Sequence, residues 1–255
     1  MLLAVDARNS TVSIGIKNAD SWLSVVRISP DRTADEYALL MQSAAERIPG
    51  IHISRAFIAS VVPALTPRLI QAVQAAFGKE ARQIGPGIKT GLRIRTDVPS
   101  ELGADIVCSA VAVRQRNSGA SLVADFATAI SISAINSQGE LLGVAIAPGM
   151  EAAIKGLRNA TAQLADVPLE APPAYIGRTT SRSLQSGLFL GYTGLVHHLL
   201  AGMRRELSEP VQVYGTGHEY GRIILDGFKD PDVSVCKFVP DLALEGLSFI
   251  ADLNS

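Results

Sequence analysis

Two stretches, one opening each half of the chain, repeat a single pattern. Leu2-Leu-Ala-Val-Asp6 runs apolar into an acid, turns through small and polar residues, and resumes as the alternating segment Thr11-Val-Ser-Ile-Gly-Ile16. Leu122-Val-Ala-Asp125 does the same, and Ala129-Ile-Ser-Ile-Ser-Ala-Ile135 alternates after it. A continuous apolar run fits a strand buried on both faces, and strict alternation fits a strand with one polar face. Each stretch therefore predicts a β-hairpin with an aspartate at the end of its first strand.

The segments between the hairpins sort by period. Ser21–Ile28 predicts a third strand, and Arg55–Val62 a buried central one that stops at Pro63. Helical spacing covers 34–47, closed by Pro49-Gly50, and 66–77, followed by Gly78. Further helices are predicted over 99–114, 151–164 and 183–207, with strands at 141–147 and 212–214. The final residues repeat helix, strand and helix. Strands alternating with helices give an α/β class. Two such series, each led by a hairpin and an Asp, predict two ribonuclease-H-like domains, 1–118 and 119–255, with a cleft between them.

Composition removes other classes. With 255 residues, 47% hydrophobic and 18% charged, the chain has the means to bury a core. A formal net charge of −1 offers no basic footprint for nucleic acid. No apolar run reaches the ~18 residues of a membrane span, and Asp6 interrupts the N-terminal run as no secretory leader does. A soluble cytoplasmic protein is the expectation. Cys108 and Cys236 suit buried thiols better than a disulfide framework or a zinc site.

The chemistry-bearing residues cluster in the turns. A tight turn after a strand gathers backbone N–H groups into an anion-binding concavity. Asn9, Ser10, Thr11 and Thr128 add side-chain donors. Asp6 and Asp125 beside such turns suit Mg²⁺, which prefers a carboxylate together with phosphate oxygens. An ordinary hairpin with an Asp in its turn gives the same local pattern, so each hairpin alone decides nothing. Glu101 and Asp105 are four apart and would share a helix face; a carboxylate there can accept a hydroxyl proton in phosphoryl transfer, or simply favour a helix start. Gly215-Thr-Gly217 after a strand is a further loop that a phosphate or nucleoside can approach. His197 and His198 are adjacent on a helix, point apart, and make a poor metal pair.

Taken in order, these pieces resemble the type III pantothenate kinase family of the acetate kinase–Hsp70–actin superfamily, along essentially the whole chain. The motifs are Asp6-Ala-Arg-Asn-Ser10, Ala59-Ser-Val-Val-Pro63, Pro99-Ser-Glu-Leu-Gly103-Ala-Asp105, Asp125-Phe-Ala-Thr-Ala129, Gly143-Val-Ala-Ile-Ala-Pro-Gly149, the series Gly177, Thr180, Ser183 and Gly187, and Thr216-Gly217. The resemblance implies two actin-like domains and ATP-dependent phosphorylation of pantothenate in coenzyme A biosynthesis. It implies Asp105 as catalytic base, with Gly103, Ala104 and a neighbouring subunit's Thr180 at the substrate. ATP and its phosphates fall to Asp6, Asn9, Ser10, Asp125, Thr128, Thr216 and Gly217, with Asp6 and Asp125 toward metal. The implied cofactors are ATP, Mg²⁺ and K⁺ or NH₄⁺. The implied assembly is a homodimer, or a heterodimer with a paralogue.

The departures from the family pattern gather at the same places. Arg8 and Ala127 stand where the family has glycine, Ile106 where it has arginine, Thr96 and Val98 where it has tyrosine and asparagine, and His218 where it has glycine. A hydrogen bond to a charged group is worth about 1.5–3 kcal/mol, so the missing arginine predicts roughly ten- to a hundredfold weaker acceptor binding. The retained carboxylates favour an active kinase. The altered acceptor residues leave a second reading, a non-catalytic family member acting as a partner or a nucleotide-binding regulator.

Overall fold

The computed structural model describes residues 1–161 and 167–255, with the backbone alone for 235–237. The described residues form two compact units: 1–116 together with 241–255, and 117–240.

In the first unit, β1 (Leu2–Ala7), β2 (Val12–Lys17) and β3 (Trp22–Ile28) form an antiparallel meander. Helix α1 (Ala34–Glu46) leads to β4 (Arg55–Ser60), and α2 (Thr66–Phe77) to β5 (Ala81–Gln83). Strands β4 and β5 add in parallel, giving the order β3-β2-β1-β4-β5. A helical turn at Pro99–Glu101 and α3 (Ala104–Arg116) follow the short β6 (Arg93–Ile94). Helix α1 starts on a capping box in which the Thr33 side chain accepts from the Glu36 N–H and Glu36 accepts from the Thr33 N–H. Helix α2 ends on Gly78 in the left-handed region, where glycine has no β-carbon to clash.

The second unit repeats that topology. Strands β7 (Ala120–Phe126), β8 (Ala129–Ile135) and β9 (Glu140–Pro148) form the meander. Helix α4 (Met150–Ala160) follows, then α5 (Thr180–Gln185), which runs through a widened turn at Ser186–Leu190 into α6 (Gly191–Leu207). Strand β10 (Val211–Gly217) pairs in parallel with β7, α7 (Tyr220–Asp226) follows, and β11 (Val233–Phe238) pairs in parallel with β10. The order within the unit is β11-β10-β7-β8-β9. Both units are thus ribonuclease-H-like, as the paired hairpins predict.

The first sheet is covered on both faces, and the central strand shows why. Leu3 and Val5 point into a core with Tyr37, Met41, Leu69 and Val73 of α1 and α2. Leu2 and Ala4 point the other way, into a core with Cys108, Val111, Leu244, Leu247 and Ile250. Alternate side chains leave opposite faces of a strand, so a strand buried on both sides reads as unbroken apolar sequence.

Three expectations change. The last helix, α8 (Leu242–Leu253), belongs to the first unit, whereas the sequence places everything after 118 in the second. Its helix is apolar on nearly all sides, and it is held by Arg116 on Glu245, by Lys17 on Ser248 and by Arg55 on Asp252. The helix predicted over 99–114 is broken: Leu102 is extended (φ −69°, ψ 131°), so Glu101 and Asp105 lie on different elements and do not share a helix face. The helix predicted over 151–164 ends at Ala160, its remaining positions 162–164 lying outside the described residues, as does the side chain of Cys236. Strands β5 and β6, three and two residues long, carry too few positions to show a period.

Candidate functional site

Register places the two hairpin aspartates equivalently. In the first unit Asp6 lies between Ser13 on the antiparallel side and Ala59 on the parallel side. In the second, Asp125 lies between Ser131 and Thr216 in the same senses. Both carboxylates are buried at the ends of central strands. The duplication inferred from pattern therefore holds residue by residue at these positions.

In the first unit, the turn after Asp6 closes with the Arg8 N–H donating to the Thr11 carbonyl at 2.9 Å. Asn9 and Ser10 are exposed at its tip. Arg8 then folds back over the end of β1. Its Nε lies 2.8 Å from Asp6 Oδ2 and 3.9 Å from Asp105 Oδ2. The three side chains are 16%, 7% and 18% exposed, so this is a largely enclosed trio and not a surface ion pair.

Asp105 stands in the first turn of α3, and its Oδ1 accepts from the Ile106 N–H at 2.8 Å. Gly103 makes room for it: a β-carbon there would lie 2.5 Å from Asp105 Oδ1 and 3.2 Å from Val61. Next to Ala104 lies a pocket of about 470 Å³, bordered by Ile84, Ile88, Ile94, Leu102 and Val107. Its size and mainly apolar lining are those of a small-molecule site. Cys108, one turn along α3, is buried; burial, followed by the Asp6 and Asp105 carboxylates, pushes its thiol well above the usual range. It is a structural thiol, as expected.

In the second unit, the Ala127 N–H donates to the Ala129 carbonyl and closes the turn that exposes Thr128. Among the described non-glycine residues only Ser208 has positive φ, so Ala127 adopts an ordinary conformation and its methyl group costs no backbone strain. Two glycines bracket the turn. Gly149, at the start of α4, donates its N–H to the Thr128 carbonyl at 2.8 Å, and a β-carbon there would collide with the Ala127 carbonyl. Gly217, at φ +89°, lies where a β-carbon would collide with the Phe126 carbonyl and approach Asp125 Oδ1 to 2.8 Å. Thr216 is buried, its hydroxyl donating to the Pro240 carbonyl. Thr216 and Gly217 form the end of β10, where the sequence suggests a loop.

Beyond Gly217, His218 stacks on Tyr220 (ring centroids 5.6 Å apart, 8° between planes) and its Nε2 is 3.6 Å from Glu151. Tyr220 packs edge-on against Phe126, and burial, then the Glu151 charge, pushes its hydroxyl up to about 12. His197 bonds the Ile224 carbonyl through Nε2 and packs on Phe228, a core role. Thr180 is exposed at the start of α5, next to the Thr179 cap.

The structure thus brings Asp6 and Asp105 together through Arg8 in one unit, and Asp125, Thr128, Thr216 and Gly217 together in the other. Sequence reasoning flags Arg8 without its partners and misses Gly149's packing on the Thr128 turn. An Arg two positions after an Asp, just past a strand end, is the available signal, since its long side chain can reach back to that carboxylate. The donor set suits a metal unevenly. Asp125, a single buried carboxylate approached closely by glycine, fits Mg²⁺, which takes one or two carboxylates and completes its shell with phosphate and water. Asp6 fits less well, because its Oδ2 is bonded to a guanidinium whose charge a divalent ion on the same carboxylate would meet. Among the described residues no group of three or more His, Cys, Asp or Glu forms a metal cluster.

The chain is 36% identical to a type III pantothenate kinase of Geotalea daltonii over 260 residues, covering 100% of this chain and 99% of that one. It is also 36% identical to a type III pantothenate kinase of Moorella thermoacetica, covering all of both chains. Similar solved structures include a putative Baf family transcriptional activator of Campylobacter jejuni (TM-score 0.61, 17% identity, 99% and 98% of the two chains) and an ROK hexokinase of Thermus thermophilus (TM-score 0.55, 15% identity, 99% of each). These likenesses are of fold, and support an actin-like one. No helix among the described residues is long and apolar enough to cross a membrane. The sequence profile described as type III pantothenate kinase matches residues 2–202, and with these full-length relatives it shows that the chain belongs to the type III pantothenate kinase family.

Proposed function

We propose that the protein transfers the γ-phosphoryl group of ATP to the hydroxyl of pantothenate, a step in coenzyme A biosynthesis. The observation that carries this is 36% identity along the whole length to relatives bearing that name. The geometry of each unit supports it. Asp105, set at the start of α3 with Gly103 leaving space beside it, is the group we assign to accept the hydroxyl proton; general bases of this kind contribute roughly 10²–10⁴-fold. The pocket beside Ala104 is of a size for the acceptor, and its apolar lining suits the dimethyl carbon of pantothenate.

Asn9 and Ser10 offer the donors of the first turn to phosphate. In the second unit, Thr128 and the turn held by Gly149 and Gly217 present donors to the nucleotide phosphates, with Thr216 fixing the end of β10. Asp125 would hold Mg²⁺, which neutralises charge building on the phosphates when bound. K⁺ or NH₄⁺ as a further activator, and Thr180 reaching the acceptor of a neighbouring subunit, belong to the same proposal.

The test is ADP release by the purified protein with ATP, Mg²⁺, K⁺ and pantothenate. Turnover that depends on pantothenate and falls about a hundredfold or more in Asp105→Asn supports the assignment. No turnover with pantothenate, alone or mixed with a typical family member from the same cell, overturns it and leaves the non-catalytic reading.

A further inference from the structure

We propose that the Arg8 guanidinium fills the cation position at the end of β1, so that Asp6 pairs with Arg8 in place of a divalent metal and Arg8 is the shared counter-cation of Asp6 and Asp105. The kinase reading gives this loop its meaning, but the geometry stands without it. Arg8 stands one residue past β1, two on from Asp6, and its side chain returns to the Asp6 side. The turn bond from the Arg8 N–H to the Thr11 carbonyl fixes the backbone beneath the side chain. From that anchor Nε reaches Asp6 Oδ2 at 2.8 Å, the length of a charge-assisted hydrogen bond, and lies 3.9 Å from Asp105 Oδ2.

Enclosure gives the contact its consequence. All three side chains are less than one-fifth exposed, so solvent screens them weakly. Two carboxylates gathered around one point would repel each other without a cation between them. Arg8 offsets that repulsion between the ends of two different elements, β1 and α3. A divalent ion on Asp6 Oδ2 would have to sit about 2.0–2.1 Å from that oxygen. That position is already taken by the donor, and an ion on either oxygen of the carboxylate would meet a guanidinium of like charge. Arg8 and a metal therefore compete for Asp6.

Manganese(II) binding measured by electron paramagnetic resonance, on the full-length protein without nucleotide, tests this without turnover. Arg8→Gly and Arg8→Gln are expected to bind Mn²⁺ about tenfold more tightly than the parent, the scale on which a hydrogen-bonded neighbour alters a metal ligand. Adding Asp6→Asn to either should abolish the gain, while Asp6→Asn alone should leave parental Mn²⁺ binding unchanged. Arg8→Gln keeps much of the side-chain volume, so it reports even where the glycine variant folds poorly. Equal Mn²⁺ affinity in parent and Arg8→Gln, or weaker binding in Asp6→Asn alone, overturns the inference. A silent kinase assay with the tenfold Mn²⁺ shift intact would instead discard the pantothenate reading and keep the role of Arg8.

Discussion

Gly246 of α8 packs against the carbonyl of Cys108 on α3 so closely that a β-carbon would overlap the Cys108 backbone. The contact joins the chain's last helix to the one whose first turn carries Asp105. Gly246→Ala must push α8 and α3 apart. Overpacking of this kind costs about 1–3 kcal/mol, and for a chain of this size each kcal/mol lowers Tm by about 2–4 °C. Calorimetry should show that loss, and pantothenate turnover should fall beyond it, because Asp105 moves with α3. An unchanged Tm would mean that the helices have slack that the contact does not suggest.

Gly103 has the same relation to the carboxylate itself. Its missing β-carbon leaves the space next to Asp105 Oδ1. Gly103→Ala should therefore lower kcat by tenfold or more, since a small misplacement of a reacting group costs on the order of 10² in rate, and nucleotide affinity should be left near the parental value. Steady-state kinetics with ATP titration separates the two. A variant that loses ATP affinity as its main defect would show that Gly103 acts elsewhere.

The sequence makes some of this legible and hides the rest for physical reasons. Asp6 and Asp125 stand out because each ends an apolar run, which forces it to the end of a central strand. The two-domain duplication follows from the same runs. The place of α8 is not legible: Leu242, Leu244, Leu247 and Ile250 show that the helix is buried, but burial does not name the neighbour. The break at Leu102 hides because Glu101 and Asp105 have helical spacing, and only Pro99 and Gly103 mark the interruption. The Asp6–Arg8 bond is within reach of a spacing argument. The 3.9 Å approach to Asp105 is not, because it depends on how β1 and α3 pack.

Tyr220 gives a prediction in alkali. Its hydroxyl is pushed up to about 12, first by burial and then by Glu151 and other nearby groups. In the unfolded chain it ionises near the ordinary value of about 10. The folded state therefore holds its proton longer, and that contribution to stability is whole below pH ~10 and is lost as pH rises through about 12. Urea unfolding at a series of alkaline pH values should show the parent losing stability more steeply than Tyr220→Phe over this window. Burial also raises Tyr37 and Tyr192, so the comparison with Tyr220→Phe isolates the residue, and parallel curves would contradict the assignment.

Gly217 carries the sharpest backbone requirement in the second unit. At φ +89° an L-residue is strained by about 1–2 kcal/mol, and a β-carbon would also meet the Phe126 carbonyl and crowd Asp125 Oδ1. The strain falls on the end of β10, and the contact falls on the neighbouring end of β7, which carries the proposed metal carboxylate. Gly217→Ala should weaken Mg²⁺–ATP binding by tenfold or more, since 1.4 kcal/mol is a factor of ten. The first unit should keep its behaviour, so the Mn²⁺ shift produced by Arg8→Gln should persist in the double variant. Titration calorimetry with a non-hydrolysable ATP analogue measures the first effect and paramagnetic resonance the second. Parental nucleotide affinity in Gly217→Ala would remove this loop from the phosphate site.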